Sequence, residues 1–382
     1  MTIAAADRPA ATEPAPAAAL LRELALGALP RMYRPDRGLF AFRLRRDGGR
    51  DVLEGASRRY TAIVLLGLAG EEADAAREIL HRRRPEDVCG RLVEEVAASR
   101  ELGEVALCLW AARAWDHPGA DAVLQHLRAM QPETAAHPTV ELAWALTALV
   151  VGGREVDGRA LADALARRLL ASCHRASGVF AHWPSGAQPS WTRAHVSCFA
   201  DLVYPVQALS HYHRRTGDAE AAFAAQQCAN HMCATQGPAG QWWWHHDVRT
   251  GRVVERFPVY AVHQDAMAPL ALFALREAFG TDRSEAIDRG IRWLFDPPEI
   301  AGSLIDAEAG VIWRKVGRHE PGKLARGVQA AASRVHPSLR VPGTDLVLPP
   351  GRIDFETRPY HLGWILYAFP PGRADTPAGR GG

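Results

Sequence analysis

The sequence predicts an all-α fold in which six helical hairpins close into a two-layer (α/α)6 ring with short β-hairpins at one mouth. Three observations carry this. Helical periodicity dominates the 382 residues, and the helical stretches come in pairs, the first member charged and the second largely apolar. A stretch apolar on every face, yet too short to span a bilayer, belongs inside other helices. A glycine followed by aromatic or β-branched residues recurs between pair members: GLFAF from Gly38, GVFAHW from Gly178, GQWWW from Gly240 and GVIWRK from Gly310. The glycine suits a left-handed turn and the aromatics a short hairpin at the mouth, and the spacing fits a helix-pair unit with loops.

In chain order, residues 1–16 are broken by charge and proline, with no apolar core of signal-peptide length, and read as a disordered lead. A single domain is expected over 17–370. Its pairs are 17–29 with 60–69, 86–98 with 101–112, 120–130 with 139–151, 158–172 with 195–212, 219–235 with 267–275, and 284–295 with 360–369. Between the last two lies 302–353, rich in Gly, Pro and basic residues, read as a long lid-like loop over the mouth. Its basic residues read mostly as a solvated face. A disordered tail, 371–382, closes the chain.

At 48% hydrophobic the chain supports a large core, and a net charge of +2 gives no reason to expect a nucleic-acid or polyanion partner. Six scattered cysteines without a C-x-x-C pair read as thiols in a reducing compartment, so a cytoplasmic location is expected, with no structural zinc. No stretch is long and apolar enough to span a membrane, no cofactor or metal is called for, and the oligomeric state stays open.

The stretch Gly240–Leu275 gathers polar and aromatic groups where a loop enters the most apolar inner helix. If the polar ends of the inner helices share one mouth, the cavity holds Arg59, Tyr60, Glu101, Glu104, His137, Glu141, His195, Asp201, His263, Asp265, Tyr360 and His361. Loops add Trp183, Trp191, Trp242, Trp243, Trp244, His246, Asp247, Glu255, Arg256, Tyr260, Glu356 and Arg358. Indoles stack on sugar rings and also line terpenoid pockets. Hydrolysis of a glycoside usually needs two carboxyl groups, whereas proton abstraction beside a uronate needs a His or Tyr base and a cation. The candidates contain both sets.

His263, Asp265, Asp247 and Glu356 are the catalytic candidates. Trp183, His195, Trp242 to Trp244, His246, Arg256, Tyr260, Arg358, Tyr360 and His361 are candidates to hold substrate. Each has a plainer alternative. Asp265 would cap its helix, where the helix dipole favours the ionised form and a role as base. Asp247 would be a turn acid and Glu356–Arg358 an ion pair; with burial, either acid would serve as the proton donor. Three consecutive tryptophans cannot all face one core, so at least one faces the cavity or solvent.

The chain resembles the α/α-toroid proteins, which include six-hairpin glycosidases, uronate lyases and epimerases, and terpenoid cyclases with their prenyltransferase relatives. Locally, Gln236-Gly237-Pro238-Ala239-Gly240-Gln241-Trp242 is similar to the Q-x-x-x-G-x-W repeat of terpenoid cyclases, which there ties an outer helix to the next turn. The D-x-D-D initiator and aspartate-rich metal motifs of that family are absent. The resemblance implies a carbohydrate-active enzyme acting on a glycan, of the glycoside hydrolase or uronate lyase/epimerase type. The alternatives are terpenoid cyclase or prenyltransferase-like chemistry, or a non-catalytic glycan-binding toroid.

Overall fold

The computed structural model describes residues 14–152, 158–184 and 193–373. Trp191, most of the expected lead and all but the first residues of the expected tail lie outside the described residues. The first helix, α1 (Pro14–Met32), starts inside the stretch expected to be a lead.

The ring forms as the periodicity predicts. Its inner helices are α2 (Arg58–Leu68), α5 (Leu102–Ala114), α7 (Thr139–Val150), α9 (Ala200–Thr216), α11 (Ala268–Phe279) and α15 (Pro359–Ala368). Each packs on the next, and α15 returns to α2. The outer helices are α1, α4 (Pro85–Val96), α6 (Ala120–Ala129), α8 (Arg159–Ser172), α10 (Ala219–Thr235) and α12 (Ser284–Phe295). The two layers differ in the way the sequence indicates. Every residue of α5 from Leu102 to Ala112 is buried, whereas α4 buries only the stripe Val88, Cys89, Leu92 and Val96 with Pro85. Helix starts follow local chemistry: Ser57 accepts the Tyr60 N–H at 3.2 Å, Asp218 accepts that of Ala221 at 2.8 Å, and Pro85 and Pro359 occupy first-turn positions. A short helix, α3 (Ala73–Ile79), follows α2 and was not anticipated.

Three of the four glycine–aromatic repeats form small antiparallel hairpins: β1 (Tyr33–Arg34) with β2 (Leu39–Phe40), β5 (Cys173–His174) with β6 (Val179–Phe180), and β11 (Ile305–Asp306) with β12 (Val311–Ile312). Three larger sheets surround the mouth. The first orders β15 (Glu356–Thr357), β3 (Arg43–Asp47) and β4 (Arg50–Glu54). The second orders β7 (Val196–Cys198), β8 (His245–Asp247) and β9 (Val253–Glu255). The third orders β10 (Val259–Tyr260), β13 (Lys315–Arg318) and β14 (Pro350–Asp354).

Two expectations need correction. The helix expected from His195 begins at Ala200, because the β-branched Val196-Ser197-Cys198 run pairs with β8 instead. The segment 302–353 is not a loop. It holds the hairpin β11–β12, then β13, α13 (Leu324–Val335), α14 (Thr344–Val347) and β14, and α13 packs on β9. No helix among the described residues is long and apolar enough to cross a membrane.

The ring closes on two glycines. A Cβ on Gly363 of α15 would sit 2.8 Å from the Val64 Cα and 2.9 Å from the Ile63 carbonyl oxygen; one on Gly67 of α2 would strike the Gly363 carbonyl. The two backbones meet with no side chain between them. We therefore expect Gly363→Ala to lower stability by about 1–3 kcal/mol through overpacking. Gly27→Ala, on the open face of α1 where a Cβ meets nothing within 4 Å, should be neutral or raise stability by up to about 1 kcal/mol. Urea denaturation of both variants checks this, and equal shifts would contradict it.

Candidate active site

The N-terminal turns of the inner helices converge on one mouth, as their mutual contacts show. Arg58 on α2 reaches both oxygens of Glu104 on α5 at 3.0 Å, and Arg59 reaches Glu101 at 2.9 Å and Glu141 on α7 at 3.5 Å. Tyr60 lies 4.7 Å from Tyr360 on α15, ring to ring. Deeper in the barrel, Trp110, Trp144, Tyr204, Trp364 and Tyr367 meet at ring separations of 5.0–6.1 Å and plug it. The inner ring therefore has an aromatic plug and, at its mouth, a polar rim.

The entry to α11 is a π-helical turn, His263–Met267, with all five residues buried. Pro269 lacks the N–H that an α-helix would give to the Asp265 carbonyl, and a widened turn accommodates that loss. Asp265 is thus not the helix cap expected from sequence. Its carboxylate is fully buried and meets Nε2 of His361 on α15 at 2.7 and 2.8 Å. Burial pushes the Asp265 carboxyl above the usual carboxylate range, and the neighbouring His361 opposes this. His263 packs between Phe199 and Tyr260 at 4.7 and 5.0 Å, and burial pushes it down to about 3. Its buried Nδ1 has no partner among the described residues.

Gln264 fastens the tryptophan run to this turn. Its Oε1 accepts the Trp242 N–H at 3.0 Å, and its Nε2 donates to the carbonyls of Tyr260 at 3.1 Å and Trp242 at 3.5 Å. The three indoles divide as steric reasoning requires. Trp242 is in the core against Gly290 of α12, and Trp243 packs on Phe257 with exposed Arg256 above it at 5.8 Å. Trp244 remains partly accessible, stacked on His245 at 4.3 Å and edge-on to Tyr260 at 5.1 Å. Gln236 donates to the carbonyls of Gly240 at 2.9 Å and of Ala286 on α12 at 2.8 Å, so the Q-x-x-x-G-x-W run ties α10 to the next turn and to the next outer helix.

Glu356 is held by three guanidiniums, Arg43 at 2.7 Å, Arg314 at 2.6 Å and Arg358 at 2.8 Å. Arg358 also donates to the Tyr60 hydroxyl at 3.0 Å, and Arg314 lies over the Tyr260 ring at 5.3 Å.

Other sequence candidates sit elsewhere. Asp247 takes the side chain of Arg249 at 2.7 Å and its N–H at 2.9 Å, the arrangement of a turn acid. His195 meets the Ser333 hydroxyl at 2.9 Å beneath α13, and burial lowers its pKa. His246 lies between the Trp243 carbonyl and His231 at 3.2 and 3.3 Å, pushed down to about 3 by burial. Trp183 stands 5.9 Å from His182.

Sequence reasoning overlooked His182, whose Nδ1 lies 3.0 Å from both oxygens of Asp201 on α9; its signal was the end of the GVFAHW repeat. It also assigned the basic residues of 302–353 mostly to a solvated face. Arg314 stands over Tyr260, and Arg326 of α13 stands 4.5 Å over Trp244 with its Nε buried and unpartnered among the described residues.

No known family profile and no curated protein matches the chain. Solved structures do. An unsaturated glucuronyl hydrolase specific for heparin superposes with a TM-score of 0.57 at 13% identity, covering 93% of this chain and 95% of that one. The unsaturated glucuronyl hydrolase of Bacillus sp. GL1 gives 0.55, also at 13% identity with 93% and 95% covered. A protein described as a glycosidase gives 0.52 at 14% identity, with 92% and 96% covered. The chain therefore has the α/α-toroid fold of the six-hairpin glycosidases.

Removing Gln264 strips partners from the buried backbone groups of Trp242 and Tyr260. Gln264→Ala should cost roughly 2–4 kcal/mol, combining unsatisfied groups and a cavity. A chemical-denaturation midpoint unchanged from wild type would reject the clamp.

Proposed function

We propose that the protein is a carbohydrate-active enzyme acting on a glycan that presents a uronate at this mouth, of the uronate lyase/epimerase or glycoside hydrolase type, with Asp265 and His361 as the proton-transferring pair. The observation that carries this reading is the buried Asp265–His361 contact of 2.7 Å at a mouth rimmed by guanidiniums and tyrosines. Around it, Glu101, Glu104, Glu141 and Glu356 are engaged by arginines, and Asp265 is not. Burial keeps Asp265 protonated to a higher pH than a free carboxyl, so it suits the proton donor better than the base that a helix cap would have been. Glu356, held by three cations, suits a scaffold that aligns Arg314 and Arg358 rather than a donor, and Asp247 suits its turn. Arg314, Arg358 and the positive ends of six inner helices favour a carboxylate ligand. Tyr60, Tyr260 and Tyr360 offer hydroxyls to a sugar, and Trp244 offers a face to stack on.

The polar rim supports a sugar over a terpenoid, whose pocket would be aromatic with a lone acid. The likeness to unsaturated glucuronyl hydrolases agrees with an acidic sugar. Free thiols suit the cytoplasm, which we include in the reading. A second reading, a two-carboxyl hydrolase, has its own observation: Asp201 of the neighbouring inner helix α9, buried and joined to His182, would be the second acid.

Asp265→Asn should fold normally and lose ~100- to 10,000-fold in turnover of uronyl oligosaccharides. The screen is a panel of acidic and neutral oligosaccharides beside a prenyl diphosphate; turnover of the diphosphate alone would reject the sugar reading. Asp201→Asn separates the two readings, since only the two-carboxyl hydrolase predicts a comparable loss.

The pH profile adds a signed test. A donor with a raised pKa is active below that pKa, and activity falls as pH rises through it. His361 lowers the Asp265 pKa, so His361→Asn should move the alkaline limb of kcat to higher pH. A limb that stays in place would show that another group titrates.

A further inference from the structure

Beside the mouth, the insertion between β13 and β14 builds a groove of about 350 Å³ with an unusual lining. Strand pairing sets Lys315 opposite Asp354 and Gly317 opposite Arg352, while the alternate pair, Val316 with Ile353, includes the buried Val316. Period-two alternation thus puts Lys315, Gly317, Arg352 and Asp354 on one face. Arg45 and Arg46 of β3, Arg318 of β13 and Arg326 of α13 complete the basic lining, against two acids, Glu320 and Asp354.

Most of these cations are already balanced. Lys315 pairs with Asp354 at 2.9 Å and Arg318 with Glu255 at 2.7 Å. Arg45 pairs with Glu54 at 3.0 Å and Arg46 with Asp51 at 2.9 Å. Arg326 and Arg352 have no carboxylate within ion-pair distance among the described residues. Arg326 is half-buried, with its Nε unpartnered. A guanidinium withdrawn from water without a counter-charge is costly unless a ligand supplies one. Two of the groove's cations also touch aromatic residues of the candidate active site. Lys315 lies 5.5 Å over the Tyr260 ring, and Arg326 lies 4.5 Å over Trp244. A Cβ on Gly317, which lines the groove, would meet only the Arg352 carbonyl oxygen, at an ordinary contact distance of 3.8 Å.

We propose that this groove is an anion-binding subsite that takes a carboxylate or sulfate from a second sugar of an acidic oligosaccharide whose first sugar occupies the mouth. The substrate is then a polyanionic chain rather than an isolated uronate. This rests on the uronate reading of the mouth but not on its chemistry. Arg326 and Arg352 receive the anion, and Gly317 leaves room for the ring that carries it. The two sources of anion differ in geometry, and the test separates them.

The experiment uses the full chain and three fluorescein-labelled hexasaccharides of matched length: one with alternating uronates, one with sulfates in place of carboxylates, and one neutral. Anisotropy titrations give affinities, and turnover of a mono-uronate disaccharide is followed in parallel. Wild type should bind at least one acidic hexasaccharide about tenfold or more tighter than the neutral one, and added salt should erode that preference. The tighter of the two acidic probes identifies the anion. Arg352→Gln removes the charge at the rim, and Gly317→Gln adds bulk to the groove without removing any charge. Each should weaken acidic-hexasaccharide binding about fivefold or more and leave disaccharide turnover unchanged. Unchanged acidic-hexasaccharide affinity in both variants, or no acidic preference in wild type, overturns the subsite. Failure of the uronate reading shows separately, as no disaccharide turnover by wild type.

Discussion

Closure of the inner ring, where α15 seats against α2, is the constraint on which the site depends. Each inner helix is supported on two sides only when the last one returns to the first. Gly67 and Gly363 permit that return by removing side chains from the contact. Closure sets Tyr360 beside Tyr60 and His361 beside Asp265, groups that no short stretch of sequence unites. It also brings β15 onto β3, with Glu356 opposite Arg45, so the mouth is sealed by strands as well as helices. A loosened seam would therefore disturb the Tyr60–Tyr360 and Asp265–His361 contacts before it melted the barrel.

The second organising feature is the π turn at His263–Met267. One widened turn aims Gln264 at the tryptophan run and Asp265 at α15. Its side chains are buried on every side, so their chemistry is set by desolvation rather than by solvent. The same burial that leaves His263 neutral keeps Asp265 protonated to a higher pH. If a sugar acid binds at this mouth, Trp244 offers it a stacking face and Arg314 and Arg358 offer counter-charges.

Much of the fold was legible because it rests on local periodicity: charged-then-apolar helix pairs and a glycine in the turn of three of the small hairpins. Arg59, Tyr60, Glu101, Glu104, Glu141, Asp265, Tyr360 and His361 meet where that regularity expects the inner helices to begin, whereas His195 lies beneath α13. What stayed hidden depends on pairing across the chain. Asp265 looks like a cap until α15 brings His361 to its carboxylate, and Val196 to Cys198 reads as helix until β8 claims it. The basic residues of 302–353 looked like a solvated face because their neighbours on β3 and β10 are remote in sequence. A net charge of +2 conceals the groove for the same reason, since it averages a local excess over the whole surface.

The most direct measurement compares a uronyl disaccharide with its methyl ester, which lacks the charge, by NMR-followed turnover. If Arg314 and Arg358 hold a carboxylate while the Asp265–His361 pair moves a proton, the acid should react roughly 100-fold or more faster than the ester, in line with ~3 kcal/mol for a desolvated charge contact. Equal rates for acid and ester would contradict the account.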